Sequence, residues 1–281
     1  MSDQLTVYLN GRYVPYSQAL IPVEDRAFLF ADGIYEVVRC YGGRPFHLDR
    51  HYERLCRSAR ALELPLPLDE AAFAGIVAEL LERNNLQEAT VYLQVTRGAA
   101  PRRHQIPQGL EPNVVAIARP VQSPSEEEVR RGVSVITVPD TRWGLCWIKT
   151  VGLLPNVLAR RQAEKEGAFD AVFVRDGLVT EATSSNVFCV IDGVVYTHPL
   201  ANILPGITRA VVLEILAELG IPCREEAVPL EWFREADEIF LTGTVLEVMG
   251  VARVDGRTVG EGRSGPLTLR VWEAFRRRCA S

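Results

Sequence analysis

Lys149 and Lys165 are the only lysines among 281 residues, since the other 29 of the 31 basic side chains are arginines. Amine chemistry therefore has two candidate positions. Lys165 stands in Ala163-Glu164-Lys165-Glu166-Gly167, a charged run ending in the residue type that commonly closes a helix, so its ammonium is expected in water. Lys149 stands in the apolar and aromatic segment Trp143-Gly144-Leu145-Cys146-Trp147-Ile148-Lys149-Thr150-Val151-Gly152-Leu153-Leu154. Desolvation there would lower a lysine pKa toward the nucleophilic free amine, which is what a Schiff base to an aldehyde cofactor requires. The segment alone also fits a lysine with a buried stem and a hydrated head.

Three further segments hold groups that such chemistry could use. Val179-Thr180-Glu181-Ala182-Thr183-Ser184-Ser185-Asn186-Val187-Phe188 places one carboxylate and several small polar residues between two strands. By itself it reads equally as a plain loop. Leu204-Pro205-Gly206-Ile207-Thr208-Arg209 opens a helix whose first N–H groups, the Thr208 hydroxyl and the positive dipole end suit a phosphate, or form a simple helix start. Ile239-Phe240-Leu241-Thr242-Gly243-Thr244 ends a strand in a small polar turn with more N–H donors.

The elements that must position these groups are legible from turn chemistry and periodicity. Asn10-Gly11, Asp176-Gly177, Asp192-Gly193 and Asp255-Gly256 each lie between β-branched or aromatic runs and predict hairpins, so antiparallel sheet is expected to dominate. Amphipathic helices are expected from Asp49 to Leu62, Asp69 to Asn84, Leu154 to Glu166 and Ile207 to Leu219. Strands and helices are grouped rather than strictly alternating, which indicates α+β. The two prolines and two serines of Arg119-Pro120-Val121-Gln122-Ser123-Pro124-Ser125 follow the apolar strand Asn113 to Ala118. They suggest a small N-terminal domain over 1–119, a linker over 120–125 and a larger cofactor-binding domain over 126–281, with the cofactor expected in a cleft between the two.

Composition removes other classes. A net charge of −5 with dispersed arginines argues against nucleic acid as a partner. The segment Met1-Ser2-Asp3-Gln4-Leu5-Thr6-Val7 lacks a basic start before an apolar core, and no apolar run approaches the ~20 residues a membrane helix needs. A cytoplasmic protein without a membrane partner is expected. The cysteines Cys40, Cys56, Cys146, Cys189, Cys223 and Cys279 contain no CxxC pair, which argues against a zinc site and a disulfide framework.

Taken in order and spacing, the chain resembles the fold type IV pyridoxal-phosphate aminotransferases, and among them the D-amino acid transaminases. The resemblance runs through Glu24-Asp25-Arg26, Phe30-Ala31-Asp32-Gly33-Ile34-Tyr35-Glu36-Val37-Val38, His51-Tyr52-Glu53-Arg54-Leu55 and Val95-Thr96-Arg97-Gly98. It continues through Pro101-Arg102-Arg103-His104-Gln105, Ile148-Lys149, Thr180-Glu181 with Ser184-Ser185-Asn186, and Gly206-Ile207-Thr208-Arg209. It implies a smaller α/β sandwich, a larger β-barrel-like domain and pyridoxal 5'-phosphate at their interface. It also implies that Lys149 carries the cofactor and moves the substrate proton. Glu181 would face the pyridine nitrogen and keep it protonated. Arg54 with Ile207, Thr208 and Thr244 would hold the phosphate. Leu204 would pack against the ring, and Ser185, Asn186 and Gly206 would complete the cofactor cup.

Substrate recognition would fall to Tyr35, Arg102 and His104, which match the family's α-carboxylate trap; a solvated basic loop is the other reading of Arg97 to Gln108. In the family the arginine and histidine reach the neighbouring subunit's site, so a homodimer is implied. The implied reaction is reversible transamination between a D-amino acid of the D-alanine or D-glutamate type and a 2-oxo acid, by a ping-pong route through pyridoxamine phosphate. Arg39 and Val245 depart from the family pattern at positions that touch substrate choice, and Arg103 adds a second guanidinium beside Arg102. Val38-Arg39-Cys40-Tyr41 and Thr242-Gly243-Thr244 with Glu247-Val248 also resemble the branched-chain L-amino acid aminotransferases. Branched-chain L-amino acids, primary amines and aminodeoxychorismate cleavage thus remain alternatives, as does a pyridoxal-phosphate carrier without catalysis. Arg39 could then contact a substrate side chain or carboxylate.

Overall fold

All four expected hairpin turns form, with both residues of each pair in the left-handed region: φ is 48° and 85° at Asn10-Gly11, 51° and 78° at Asp176-Gly177, 49° and 75° at Asp192-Gly193, and 49° and 77° at Asp255-Gly256. Left-handed backbone at both central positions matches the twist of the flanking strands, which is why these pairs punctuate the sheets. The computed structural model describes Leu5 to Ala280. These residues form two compact units, one of residues up to Gln122 together with Ile148–Gly152, the other of Ser123–Trp147 and the residues from Leu153 on.

The first unit contains β1 (Thr6–Leu9), β2 (Arg12–Pro15), β3 (Gly33–Tyr41), β4 (Arg44–Pro45), β5 (Ala89–Thr96) and β6 (Asn113–Pro120). They pair antiparallel in the order β2-β1-β6-β5-β3-β4. Alternation sets the faces: Ala89, Val91, Leu93 and Val95 of β5 are buried with Val114, Ala116 and Ala118 of β6. Helices α1 (Arg26–Phe30), α2 (Leu48–Ala61) and α3 (Glu70–Arg83) complete the unit. Asp69 caps α3 by accepting the Ala72 N–H, and Phe73, Ile76, Val77 and Leu80 are its buried stripe.

Ile148–Gly152 belongs to this unit and not with 126–281, where sequence order had put it. The reason is backbone pairing. Tyr35 N donates to Lys149 O at 3.0 Å and Val151 N to Gly33 O at 3.1 Å, so the lysine segment runs along β3. Gly98, just after β5, has φ 104°, and a Cβ there would be driven into the Glu111 carbonyl oxygen. Gly98→Ala is expected to cost about 1–3 kcal/mol of stability, since strain and a backbone clash coincide. Urea unfolding checks this, and an unchanged midpoint would refute it.

The second unit contains β7 (Val133–Pro139), β8 (Asp170–Arg175), β9 (Leu178–Ala182), β10 (Asn186–Ile191), β11 (Val194–Thr197), β12 (Cys223–Arg224), β13 (Val228–Pro229), β14 (Glu238–Gly243), β15 (Glu247–Val254) and β16 (Arg257–Thr258). Six of them close a circuit, β10-β14-β15-β7-β8-β9, because β9 returns to β10 through the pair Glu181 and Asn186. The fold is therefore mixed α and β with a closed six-stranded barrel. Val135, Val172, Val179, Val187, Leu241 and Val251, one from each barrel strand, share a single apolar cluster. Burying such a valine contributes roughly 1.5–3 kcal/mol.

Antiparallel pairing predominates, but β7 pairs parallel with both β8 and β15, and β11 with β12. A parallel β7–β8 pair needs a long crossover, which residues 140–169 supply with α5 (Leu154–Lys165). Around the barrel lie α4 (Glu126–Arg131), α6 (Ile207–Glu218), α7 (Leu230–Arg234) and α8 (Pro266–Ala280). Ser125 and Glu128 form a capping box that starts α4 at the end of the expected linker. Among the described residues no helix is long and apolar enough to cross a membrane.

Candidate active site

Lys149 is half-buried, with its Nζ 4.2 Å from the centroid of the Tyr35 ring. Its backbone N–H donates to Ser58 Oγ on α2 at 3.2 Å, so two elements fix the segment. Lys165 is exposed in the last turn of α5, as its charged surroundings predict. Beneath Tyr35 on the alternate face of β3 lies Glu36, fully buried. It accepts from Arg54 Nε at 2.7 Å and Nη2 at 2.8 Å, and lies 2.7 Å from His51 Nδ1. Arg54, whose helical position alone would suggest exposure, is thus buried. Burial would push the Glu36 carboxyl up, but Arg54 and His51 outweigh it and hold the group well below the usual carboxylate range. The net effect on His51 runs the other way, with burial pushing its imidazole down.

In the second unit Glu181 is buried at the closure of the barrel. Its Oε1 accepts from Arg142 Nη1 at 2.5 Å, its Oε2 from Asn186 Nδ2 at 3.1 Å, and the Leu204 N–H reaches both oxygens at 3.2 and 3.0 Å. Asn186 also donates to Leu204 O at 2.9 Å, which ties the segment before α6 to the carboxylate. Burial pushes the Glu181 carboxyl up to about 7 against the pull of Arg142. Arg142 is itself held by Asp140 Oδ1 and Oδ2 at 2.9 Å and stacks on Phe173 at 4.3 Å. A cation facing Glu181 would favour its charged form further.

Glu181, Asn186, Leu204 and the start of α6 are therefore brought together. Gly206 precedes α6 without a side-chain cap, leaving its first amide groups to other acceptors. A Cβ at Gly206 would collide with the Asn186 side chain, so the bare backbone is required there. Ile207 and Thr208 are buried. Ser185 Oγ and Thr242 Oγ1 are buried hydroxyls without a hydrogen-bond partner; Thr242 of β14 pairs with Asn186 of β10, and Ser185 immediately precedes Asn186. Orphaned hydroxyls, an uncapped helix start and a buried carboxylate fit a phosphorylated pyridine, since each supplies a group that such a ligand would satisfy. Thr244 is half-buried and Val245 exposed on the turn after β14. That turn ends at buried Glu247, which has φ 59° and accepts from Arg276 Nη1 at 2.8 Å.

Arg102 and His104 are both exposed, and both lie against the half-buried Phe30 ring, the Arg102 Cζ at 5.2 Å and the His104 ring at 5.6 Å. Arg39 is not with them. Its Nη2 meets Glu88 Oε2 at 2.5 Å, its Nη1 donates to the Cys40 and Ala89 carbonyls at 3.0 and 3.1 Å, and its guanidinium stacks on Tyr41 at 4.4 Å. The expectation of a substrate contact at Arg39 is corrected to a sheet-internal role, because three acceptors at the end of β3 claim the side chain. Glu36, His51 and Arg142 were assigned no role from sequence. Glu36 could have been found, since period-2 alternation puts it on the face of Ile34 and Val38, where a carboxylate needs a cationic partner.

Residues 33–254 match the family described as amino-transferase class IV. The chain belongs to the class IV aminotransferases. It is 45% identical to a D-alanine aminotransferase of Bacillus licheniformis over 272 residues, covering 96% of both chains. Among solved structures of this fold type, a branched-chain amino acid aminotransferase of Escherichia coli superposes with a TM-score of 0.90 at 28% identity, covering 97% of this chain and 93% of that one. A branched-chain amino acid aminotransferase of T.th., solved with pyridoxamine 5'-phosphate, gives 0.91 at 28% identity, with 98% and 94% covered.

Proposed function

We propose that this class IV aminotransferase is a pyridoxal 5'-phosphate enzyme that exchanges the amino group of a D-amino acid, of the D-alanine or D-glutamate type, with a 2-oxo acid by a ping-pong route. The observation that supports the substrate class is that Arg102 and His104 both lie against the Phe30 ring, two donor side chains of the kind that suits a carboxylate. The D-alanine aminotransferase named above supports the same reading. When bound, the cofactor supplies an aldehyde for a lysine and a ring that withdraws electrons from the substrate α-carbon.

The remaining roles belong to the chain's own groups. Lys149 holds the cofactor and, once released, carries the proton to and from the α-carbon, its amine kept in place by Tyr35 and by the β3 backbone. Glu36 orients Arg54, leaving the guanidinium aimed by two charge-assisted bonds as it binds phosphate with the Ile207 and Thr208 amides and Thr244. Glu181 would face the ring nitrogen and favour its protonated form, with the Arg142 guanidinium drawing the carboxylate toward its charged form against the effect of burial. Leu204 packs on the ring, and Ser185 and Asn186 satisfy polar groups around it. Tyr35 joins Arg102 and His104 in gripping the α-carboxylate, the latter two from a second copy, so the active form is a homodimer. Val245 borders the substrate side chain.

Mixing the yellow protein with D-alanine, L-alanine and L-leucine separately tests the reading. D-alanine is expected to bleach the visible band, and bleaching by L-leucine alone would favour a branched-chain L-amino acid enzyme. Glu181→Gln is expected to retain cofactor and slow proton abstraction, because a neutral amide no longer favours the protonated ring nitrogen. Unchanged single-turnover kinetics would reduce Glu181 to a loop residue. The pH dependence carries a sign. In cofactor-free protein Glu181 has a folded pKa raised from 4.5 to about 7, so its contribution to stability is full below 4.5 and lost as pH rises through about 7. Melting curves should show that loss in the wild type and not in Glu181→Gln.

A further inference from the structure

The loop that carries Arg102 and His104 is exposed from Pro101 to Gly109 and contains no helix or strand. A side chain meant to grip a carboxylate needs a fixed origin, and a free loop would lose binding energy to ordering. Its anchor is Arg26, a buried arginine at the first position of α1. The Arg26 N–H donates to Gly98 O at 2.9 Å, and Ala100 N donates to Glu24 O at 3.2 Å, so the base of the loop runs beside Glu24–Arg26. The Arg26 side chain then reaches further. Its Nη1 donates to the carbonyl of Arg103 at 2.9 Å, between the two proposed carboxylate-binding residues.

Arg26 cannot easily move. Its Nε donates to Asp32 Oδ2 at 2.8 Å, and Asp32 is gripped by Arg97 Nε at 3.0 and 2.8 Å. Arg97 in turn donates to the carbonyls of Glu63 and Leu62 at 2.9 and 2.7 Å, which fastens the cluster to the end of α2. Burial would push the Asp32 carboxyl up, yet the two guanidiniums hold it below its usual range, so it stays a charged anchor. The Arg26 guanidinium also lies 4.9 Å from the Phe30 ring that Arg102 and His104 touch. Among the described residues, no other hydrogen bond ties residues 101–108 to the body of the unit.

We propose that Arg26 is a positioning residue for substrate recognition, holding the Arg103 carbonyl from the Asp32–Arg97 cluster so that Arg102 and His104 present their donors at a fixed distance and angle. This rests on the reading of Arg102 and His104 as the carboxylate grip. The nature of the effect follows from the geometry: Arg26 touches neither substrate nor cofactor, so its loss weakens carboxylate binding and spares the chemical step.

The test uses the holoenzyme with Arg26→Gln, Arg26→Lys, Phe30→Leu and Arg102→Ala. For Arg26→Gln the KM for D-alanine and the inhibition constant of propionate, a carboxylate without an amine, are expected to rise together, on the order of tenfold, with kcat within about twofold. Arg26→Lys, which keeps the charge on Asp32 but cannot span both acceptors, should fall in between. Melting temperature and the visible cofactor band report folding separately. If Arg26→Gln does not fold, Phe30→Leu carries the test, because it removes the ring platform and should give the same split. A fall in kcat with both constants unchanged, or no change at all, overturns the proposal. Arg102→Ala separates the two levels: if it leaves D-alanine and propionate binding intact, the carboxylate reading itself fails. If it weakens both while Arg26→Gln and Phe30→Leu do not, only the positioning role fails.

Discussion

Lys149→Ala is expected to lose the visible absorbance of lysine-bound cofactor and to reduce turnover by several orders of magnitude, whereas Lys165→Ala leaves both as they are. The contrast follows from position. Lys149 is half-buried over Tyr35 on a segment hydrogen-bonded to β3, while Lys165 is exposed at the end of α5. On the proposed reading one amine both tethers the cofactor and transfers the proton, and alanine can do neither. The lost side chain should cost little stability, because its backbone bonds to Tyr35 and Ser58 remain. A Lys149→Ala protein with a normal spectrum and normal turnover would end the assignment.

Arg102→Ala is the next largest expected effect and the one that separates substrate classes. Truncating one partner of a desolvated charged pair costs roughly 2–5 kcal/mol. Catalytic efficiency toward D-alanine should then fall by a factor on the order of 30 to several thousand at ~1.4 kcal/mol per decade. A primary amine never engages the guanidinium, so its half-reaction should change far less. Equal losses on both substrates would make Arg102 a support of the loop or of a subunit contact.

Local chemistry made much of this fold legible in the sequence. Each Asn-Gly or Asp-Gly turn formed because those pairs tolerate left-handed backbone, and α3 runs from its cap at Asp69 to Asn84 as the capping pattern implies. What stayed hidden is nonlocal. The parallel pairs β7–β8 and β7–β15 join strands far apart in the chain, and no turn residue announces them. Helix α8 went unanticipated because its cap is distant: the Glu238 carboxylate accepts from the Leu267 and Thr268 N–H groups. At the site, the scarcity of lysine and the setting of Lys149 and Glu181 were enough to single both residues out in the sequence. Their partners did not stand out, since Arg142 is one arginine among 29 until the barrel places it 2.5 Å from Glu181. Arg39 misled for the same reason: a charged residue inside a strand looks functional until Glu88 is found beside it.

The ring of barrel strands is completed at one spot, where Glu181 of β9 meets Asn186 of β10 across the tight turn that Ala182 N and Ser185 O fasten at 2.8 Å. Those two residues also form the carboxylate–amide couple that reaches Leu204. Chemistry and closure thus share a latch. On the role proposed for Glu181, a fluctuation that unzips this edge would displace the carboxylate meant to face the ring nitrogen in the same event, so a frayed seam is expected to silence the enzyme. Conversely, a ligand that binds Glu181 rivets the barrel shut, and the slowest-exchanging amides of a loaded enzyme should lie along β9 and β10. Replacing the Glu181 side chain leaves the backbone pair with Asn186 and the Ala182–Ser185 bond in place, and removes from the seam only the contacts that the carboxylate makes to Asn186 and Leu204.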